Sequence, residues 1–186
     1  MKKVLIKNMV CDRCTSVLQQ EFQKSGIPVK TIKLGQIIFE DIEIIDFQKV
    51  EEIITRNGFE IIHDESDLIV EQIKSYLITL VSDEKRHNQK LSDLVSKHIN
   101  KEYSIISKLF SNNQGITIEK YFIRLKIEKA KELIQMGNLS FSEISYSLDY
   151  KSGSHLAKQF KTITGISMSD YKNLQSWDRQ PLDKIV

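Results

Sequence analysis

Residues 140–171 decide the fold class: they read SFSEISYSLDYKSGSHLAKQFKTITGISMSDY. Ser140 and Glu143 stand three positions apart ahead of an apolar run, which is the pattern of a capping box at the start of a helix. Apolar spacing predicts a short helix over residues 141–148 and, after a turn, a second helix over residues 154–163. Two short helices joined by a tight turn predict a helix-turn-helix motif. The positions expected to face inward are Ile144, Leu148, Leu156, Phe160 and Ile163.

A second copy of this pattern lies 50 residues earlier, because Ser107-Lys108-Leu109-Phe110 aligns with Ala157-Lys158-Gln159-Phe160. Its two helices are predicted at Leu91–Ile99 and at residues 104–112. We expect the inward positions of the latter helix to be Ile105, Ile106, Leu109 and Phe110.

One uninterrupted helix, Ile118–Met136, is predicted between the two motifs. At about 1.5 Å per residue it would span roughly 28 Å. Major-groove segments on one face of B-DNA repeat about every 34 Å. A helix of this length is therefore suited to hold two DNA-reading helices near that separation.

The first 65 residues have a different pattern. Short β-rich runs at residues 3–7, 29–34, 37–40 and 59–62 alternate with two amphipathic helices, the second of which ends at Asn57-Gly58. The order β-α-β-β-α-β predicts a ferredoxin-like α+β domain over residues 1–65. An all-α domain of seven helices is predicted over residues 66–175, and residues 176–186 form a tail without clear periodicity.

Composition is that of a globular protein: of 186 residues, 28% are charged and 40% hydrophobic, which excludes a disordered or collagenous chain. Two cysteines are too few for a disulfide framework. No stretch reaches the ~18 apolar residues of a membrane helix, and the apolar run at residues 4–6 is too short for a signal peptide. We therefore expect a cytoplasmic protein with no membrane partner. Residues 97–172 hold 12 Lys and Arg against 7 Asp and Glu, which permits a polyanionic partner.

The helical half resembles the DNA-binding region of AraC-type transcription regulators. The resemblance rests on residues 115–121 after Phe110, on Arg124-Leu125, and on residues 144–171 with Gln159-Phe160-Lys161. Asp149 stands where that family usually has Gly at the turn of the second motif, and Asp is among the few residues that tolerate a left-handed conformation.

This resemblance implies sequence-specific binding of double-stranded DNA in transcription regulation, with RNA polymerase as a further partner and a homodimer as one possible state. Lysine can donate to guanine O6 and N7, whereas serine and histidine are less selective. Positions implied to face bases are Ser104, Ser107 and Lys108 in the first motif and Ser154, His155 and Lys158 in the second. Positions implied to contact phosphates are Lys101, Lys161 and Lys172.

The N-terminal domain carries a CxxC pair, Cys11 and Cys14, between its first strand and first helix. Thiolates are favoured near a helix N-terminus, and two at this spacing can bind Cu(I), or Zn(II) with further ligands. Residues 1–65 resemble the heavy-metal-associated domains of copper chaperones, since Met9, Cys11 and Cys14 fit their GMxCxxC hallmark and Asn8 replaces its Gly.

Three interpretations of the cysteine pair stay open: a metal or thiol-reactive sensor, a redox dithiol, or an inherited remnant used for packing or dimerisation. No cofactor beyond Cu(I) or Zn(II) at this pair is expected. In the family topology His63 falls at the far end of the sheet, so it is not predicted as a third ligand.

The favoured hypothesis is a transcription regulator whose N-terminal domain senses a ligand or mediates self-association. The alternative is a copper-trafficking protein whose helical half docks a protein partner. No catalytic triad, phosphate-binding glycine loop or multi-histidine site is apparent, and the four histidines are scattered, so we predict that the chain is not an enzyme.

Overall fold

The computed structural model describes residues 2–9, 12–40, 45–62, 65–83, 89–174, 178–182 and 185. The chain divides into two compact units, Met1–Ser75 and Tyr76–Val186. This division falls within helix α3 (Glu65–Ser82), whereas the domain boundary predicted from the sequence lies ahead of that helix. None of the described helices is long and apolar enough to cross a membrane.

The first unit has the predicted order of elements, β-α-β-β-α-β, ahead of α3. Its sheet has the strand order β2-β3-β1-β4, and every pair of neighbouring strands is antiparallel. The elements are β1 (Lys2–Lys7), α1 (Asp12–Lys24), β2 (Val29–Lys33), β3 (Gln36–Phe39), α2 (Phe47–Arg56) and β4 (Glu60–Ile62).

The core of the first unit lies between the sheet and its two helices. Phe22 on α1 and Phe39 on β3 meet edge to face, with ring centroids 5.8 Å apart. Leu18 is buried beside Phe22, whereas Val17, the residue before Leu18, is 41% exposed. The reason is that Leu18 and Phe22 are four residues apart and share one face of α1, whereas Val17 lies about 100° away from Leu18.

The end of β1 is anchored to α3 through a buried ion pair. Asn8 has a positive φ of 70°, a conformation that asparagine tolerates better than most residues, and its N–H donates to Glu71 Oε2 at 3.1 Å. Glu71 Oε1 accepts from Lys74 Nζ at 3.1 Å, and both side chains are buried. Ser75 Oγ also donates to the carbonyl of Met9, at 3.3 Å. Three residues of α3 therefore stabilise the chain segment that precedes Val10 and the cysteine pair.

The second unit contains the later part of α3 and six further helices among the described residues. Helix α6 contacts four of them, α5, α7, α8 and α9, and so forms the centre of the unit. Two predicted helices, α4 and α6, are observed with the predicted bounds, and the ends of three others, α5, α7 and α8, differ from the predicted ones by no more than two residues. The helices are α4 (Leu91–Ile99), α5 (Tyr103–Gln114), α6 (Ile118–Met136), α7 (Phe141–Ser147), α8 (Gly153–Thr164) and α9 (Met168–Lys172).

The second unit repeats one packing arrangement after 50 residues. Phe110 on α5 and Tyr121 on α6 meet edge to face at 5.5 Å and 69°; Phe160 on α8 and Tyr171 on α9 do so at 5.4 Å and 70°. A left-handed glycine cap precedes the second helix of each pair, Gly115 at φ 69° and Gly165 at φ 81°. The two motifs are therefore related by an internal repeat that extends past their second helices.

Candidate nucleic-acid interface

Both predicted helix-turn-helix motifs are present, as α4 with α5 and as α7 with α8, and the helices of each pair are in contact. Each turn contains a residue of positive φ, Asn100 at 57° in the first turn and Asp149 at 58° in the second. Asparagine and aspartate can occupy this left-handed region because their short polar side chains hydrogen-bond locally. The first turn has three residues between its helices and the second has five, so the two turns are not superimposable copies.

Helix α5 is the second helix of the first motif. Ile106 and Phe110, four positions apart, are fully buried and attach it to the core. Of the predicted base-facing residues, Ser104 and Lys108 are exposed, but Ser107 is half-buried. The prediction that Ile105 faces inward is wrong, because its side chain is 56% exposed. Ile105 lies about 100° around the helix from Ile106 and faces water beside Ser104 and Lys108.

Helix α8 is the second helix of the second motif, and Leu156 and Phe160 attach it to the core. The predicted base-facing residues Ser154, His155 and Lys158 are all exposed. The N-cap is Ser152, whose Oγ accepts from the N–H of His155 at 3.3 Å. This cap sets the start of the helix, and with it the face on which all three residues lie.

The predicted phosphate contacts Lys101, Lys161 and Lys172 are also exposed. Lys101 lies in the turn ahead of α5, Lys161 in the last turn of α8, and Lys172 in the last turn of α9. They are therefore accessible to a polyanion at the edges of the two motifs.

A basic groove of about 530 Å³ runs between α6 and α8. Lys120 and Arg124, four positions apart on α6, line one side, and His155 and Lys158 on α8 line the other. Its floor includes apolar residues, one of them Ile163, which is 44% exposed and contradicts the inward orientation predicted for it. Ile163 lies at the edge of the stripe formed by Leu156 and Phe160, where α8 faces this groove.

Sequence reasoning missed Lys120 and Arg124 as part of this surface. Their spacing places both on one face of α6, and that signal was available in the sequence. What the sequence did not show is that this face of α6 lies beside the outer face of α8. The contact between α6 and α8 brings the four side chains together.

Tyr150, in the turn of the second motif, organises several side chains. Its ring meets that of His155 edge to face at 5.3 Å, and its hydroxyl donates to Gln159 Oε1 at 2.7 Å. Lys126 Nζ lies 5.1 Å from the Tyr150 ring centroid and 4.9 Å from that of Phe122. Burial raises the pKa of Tyr150 to about 12. Burial also lowers the pKa of Lys126, an effect that the nearby charge of Asp149 opposes.

The first motif is attached to α6 by a different contact. The hydroxyl of Tyr103, the first residue of α5, donates to Glu119 Oε1 in the first turn of α6. Burial and this hydrogen bond both raise the pKa of Tyr103. Burial alone would raise the pKa of Glu119, but the hydrogen bonds from Tyr103, its own backbone and Thr117 outweigh it and lower that pKa.

The candidate metal ligands are only partly described. Cys11 lies outside the described residues, as does His63. Cys14, in the first turn of α1, is half-buried and packs against the core of the first unit. Within the described ranges no group of three His, Cys, Asp or Glu side chains is arranged to hold a metal ion. Metal binding by the cysteine pair therefore stays a prediction.

Comparison with known protein families identifies the type of the second unit. Residues 95–173 match a family model described as a helix-turn-helix domain. This segment has a helix-turn-helix fold. The match spans both motifs and the helix between them, from Val95 on α4 to Asn173 at the end of α9.

Solved structures resemble the helix-turn-helix domain in fold. A transcriptional regulator with an AraC-type DNA-binding domain from Chromobacterium violaceum has a TM-score of 0.52 at 16% identity, covering 60% of this chain and 97% of that one. The C-terminal domain of AraT, a response regulator from Geobacillus stearothermophilus, has a TM-score of 0.51 at 20% identity, covering 63% and 97%. The prediction of a helical domain with two helix-turn-helix motifs is thereby confirmed at the level of the fold.

A curated relative matches part of the chain in sequence. The Msm operon regulatory protein of Streptococcus mutans is 26% identical over 78 residues, which are 42% of this chain and 28% of that protein. This chain therefore matches little more than a quarter of that relative's length. The similarity concerns part of each protein rather than the whole of either.

Proposed function

We propose that the protein is a sequence-specific DNA-binding transcription regulator of AraC type. The observation that carries this proposal is that each helix-turn-helix motif buries one face of its second helix and exposes serine and lysine on the other. Ile106 and Phe110 are buried on α5 while Ser104 and Lys108 are exposed. A second helix attached to its domain in this way is the element that enters the major groove in helix-turn-helix proteins.

The length of α6 supports binding of both motifs to one duplex. Its 19 residues correspond to roughly 28 Å, close to the ~34 Å between successive major-groove segments on one face of DNA. Helix α6 contacts both α5 and α8 and so connects the second helices of the two motifs through one continuous helix.

Residue roles follow from side-chain chemistry. Lys108 and Lys158 would donate to guanine, and Ser104, Ser107, Ser154 and His155 would make the remaining polar base contacts. Lys101, Lys161 and Lys172 would bind phosphates, which fix position without specifying sequence. Lys120 and Arg124 join this group, because the groove between α6 and α8 places them beside His155 and Lys158.

The first unit would supply regulation. Its order of elements supports a ferredoxin-like domain of heavy-metal-associated type over residues 1–65. We propose that this domain senses a ligand, with Cu(I) or Zn(II) at Cys11 and Cys14 as one candidate, or mediates homodimer formation. RNA polymerase would be the protein partner in activation.

The copper-trafficking alternative is not favoured, because it gives no reason for a helix-turn-helix match over residues 95–173. The same match indicates a DNA-binding role rather than an enzyme, in agreement with the absence of catalytic motifs in the sequence.

Selection of duplexes from a random DNA pool tests the proposal, with and without Cu(I) or Zn(II). We expect enrichment of a bipartite site and an affinity that falls steeply with salt. The double variant Cys11→Ser/Cys14→Ser tests the sensing role. If this variant responds to metal in the selection as the wild-type chain does, the proposed metal sensing by the cysteine pair is wrong, but the proposed DNA binding is unaffected. Failure of the wild-type protein to enrich any sequence would contradict the proposal that it is a sequence-specific DNA-binding regulator.

A further inference from the structure

Helix α5 exposes a large apolar side chain on the face predicted to contact bases, the face that carries Ser104 and Lys108. Ile105 is 56% exposed and follows Ser104, itself exposed, while Lys108 lies one helical turn further on. The isoleucine adjacent in sequence, Ile106, is fully buried and attaches α5 to the core, whereas more than half of Ile105 is exposed.

The internal repeat gives Ile105 a functional counterpart. A shift of 50 residues places Ile105 on His155, Ser104 on Ser154 and Lys108 on Lys158. Phe110 and Phe160, in the same register, make matching edge-to-face contacts with Tyr121 and Tyr171. Ile105 therefore occupies in the first motif the position at which the second motif presents an imidazole.

The chemistry of the two side chains differs. An imidazole can exchange hydrogen bonds with base edges, whereas the isoleucine side chain has neither donor nor acceptor. In the major groove, the apolar feature that a base edge presents to such a side chain is the C5 methyl of thymine. Contact with that methyl group would remove apolar surface of both partners from water.

We infer that Ile105 contacts the C5 methyl of a thymine in the groove segment bound by α5, so that the first motif specifies thymine by apolar contact. This inference rests on the proposed DNA-binding function and adds a base specificity to it. It also assigns a role to an exposed isoleucine that the fold does not require.

Replacement of thymine by deoxyuridine tests the inference, since it removes the methyl group and leaves the hydrogen-bonding pattern unchanged. Each thymine of the selected duplex would be replaced in turn, and the affinity of the wild-type chain measured. We expect one position at which the replacement weakens binding by about fourfold, the ratio that corresponds to one buried methyl-sized group.

Ile105→Ala should bind the thymine and deoxyuridine duplexes with equal affinity at that position, and Ile105→Val should retain part of the discrimination. Leu34→Ala is the matched control, because it truncates an exposed apolar side chain between β2 and β3, outside both motifs, and should keep the wild-type sensitivity. Sensitivity that persists in Ile105→Ala, or no sensitive thymine in the wild-type chain, would overturn the inference. Neither result would affect the proposed function, whose failure would already appear as the absence of a selected duplex.

Discussion

The hydroxyl of Tyr150 donates to Oε1 of Gln159 across the second motif, at 2.7 Å. The bond joins the turn that follows α7 to the middle of α8, and the same aromatic ring contacts His155. Tyr150 is buried, whereas His155 is exposed on the face of α8 that is predicted to contact bases. A buried residue therefore positions two side chains of the candidate interface without facing the DNA itself.

Tyr150→Phe should lower the free energy of unfolding by about 1 kcal/mol, the net contribution of one hydrogen bond. Urea unfolding of Tyr150→Phe, Gln159→Ala and the double variant gives the coupling between the two residues, which we expect to be about 1 kcal/mol. Ser142→Ala is the control, because it removes an exposed hydroxyl from α7, and it should be close to neutral. Additive effects of Tyr150→Phe and Gln159→Ala would contradict the coupling.

The bond between Tyr103 and Glu119 predicts a pH dependence of stability. The pKa of Glu119 is lowered from its ordinary value of 4.5, so its carboxylate stabilises the fold above that value, and the stabilisation is lost as the pH falls below it. Tyr103→Phe removes a hydrogen bond that lowers this pKa. We expect the variant to lose less stability than the wild-type chain between about pH 5 and pH 3.

Urea midpoints measured across that pH range check this prediction, with Ser142→Ala again as the control. If the urea midpoints of the wild-type chain and of Tyr103→Phe change with pH in parallel, the hydrogen bond from Tyr103 does not lower the pKa of Glu119, and the prediction is wrong.

The ion pair between Glu71 and Lys74 predicts a large effect in the first unit. Glu71→Ala leaves the buried ammonium of Lys74 without its carboxylate and removes the acceptor of the Asn8 N–H. We expect a loss of about 3–5 kcal/mol in the free energy of unfolding, the usual cost of breaking a buried ion pair from one side. Glu52→Ala on the exposed face of α2 should be nearly neutral in the same urea titration. Equal effects of the two substitutions would contradict this account of the anchor.

Arg124, in the groove between α6 and α8, and Lys161, in the last turn of α8, predict changes in the salt dependence of DNA binding. Arg124→Ala and Lys161→Ala should each reduce the slope of log affinity against log salt concentration by about 1, with a similar loss on every duplex. Lys30→Ala, an exposed lysine on β2 of the first unit, should leave the slope unchanged. Titrations at several salt concentrations measure the slope; an Arg124→Ala slope equal to that of the wild-type chain would remove Arg124 from the interface.

Much of the fold could be predicted because its signals are local. Helix α6 was predicted with its observed bounds from one apolar stripe and from the glycine that follows it, Gly137. Asp149 was predicted to tolerate a left-handed backbone, and it has a φ of 58°. These features depend on near neighbours in the chain, which a sequence displays directly.

The errors lie at the edges of apolar stripes. Ile105 and Ile163 were predicted to face inward, yet both are exposed, because a stripe seen in the sequence does not show how wide the covered face is. The width depends on which helices pack against it. The groove with Lys120 and Arg124 was missed for the same reason, since it exists only where α6 and α8 pack together.

Binding of the selected duplex by lysine variants tests the central claim most directly. Lys108→Ala and Lys158→Ala should each weaken binding by about 5- to 150-fold, the range that corresponds to the loss of one specific base contact. Each variant should also relax base preference, but only in its own half of the bipartite site, while Lys30→Ala binds as the wild-type chain does. Wild-type affinity and base preference in both Lys108→Ala and Lys158→Ala would contradict the account.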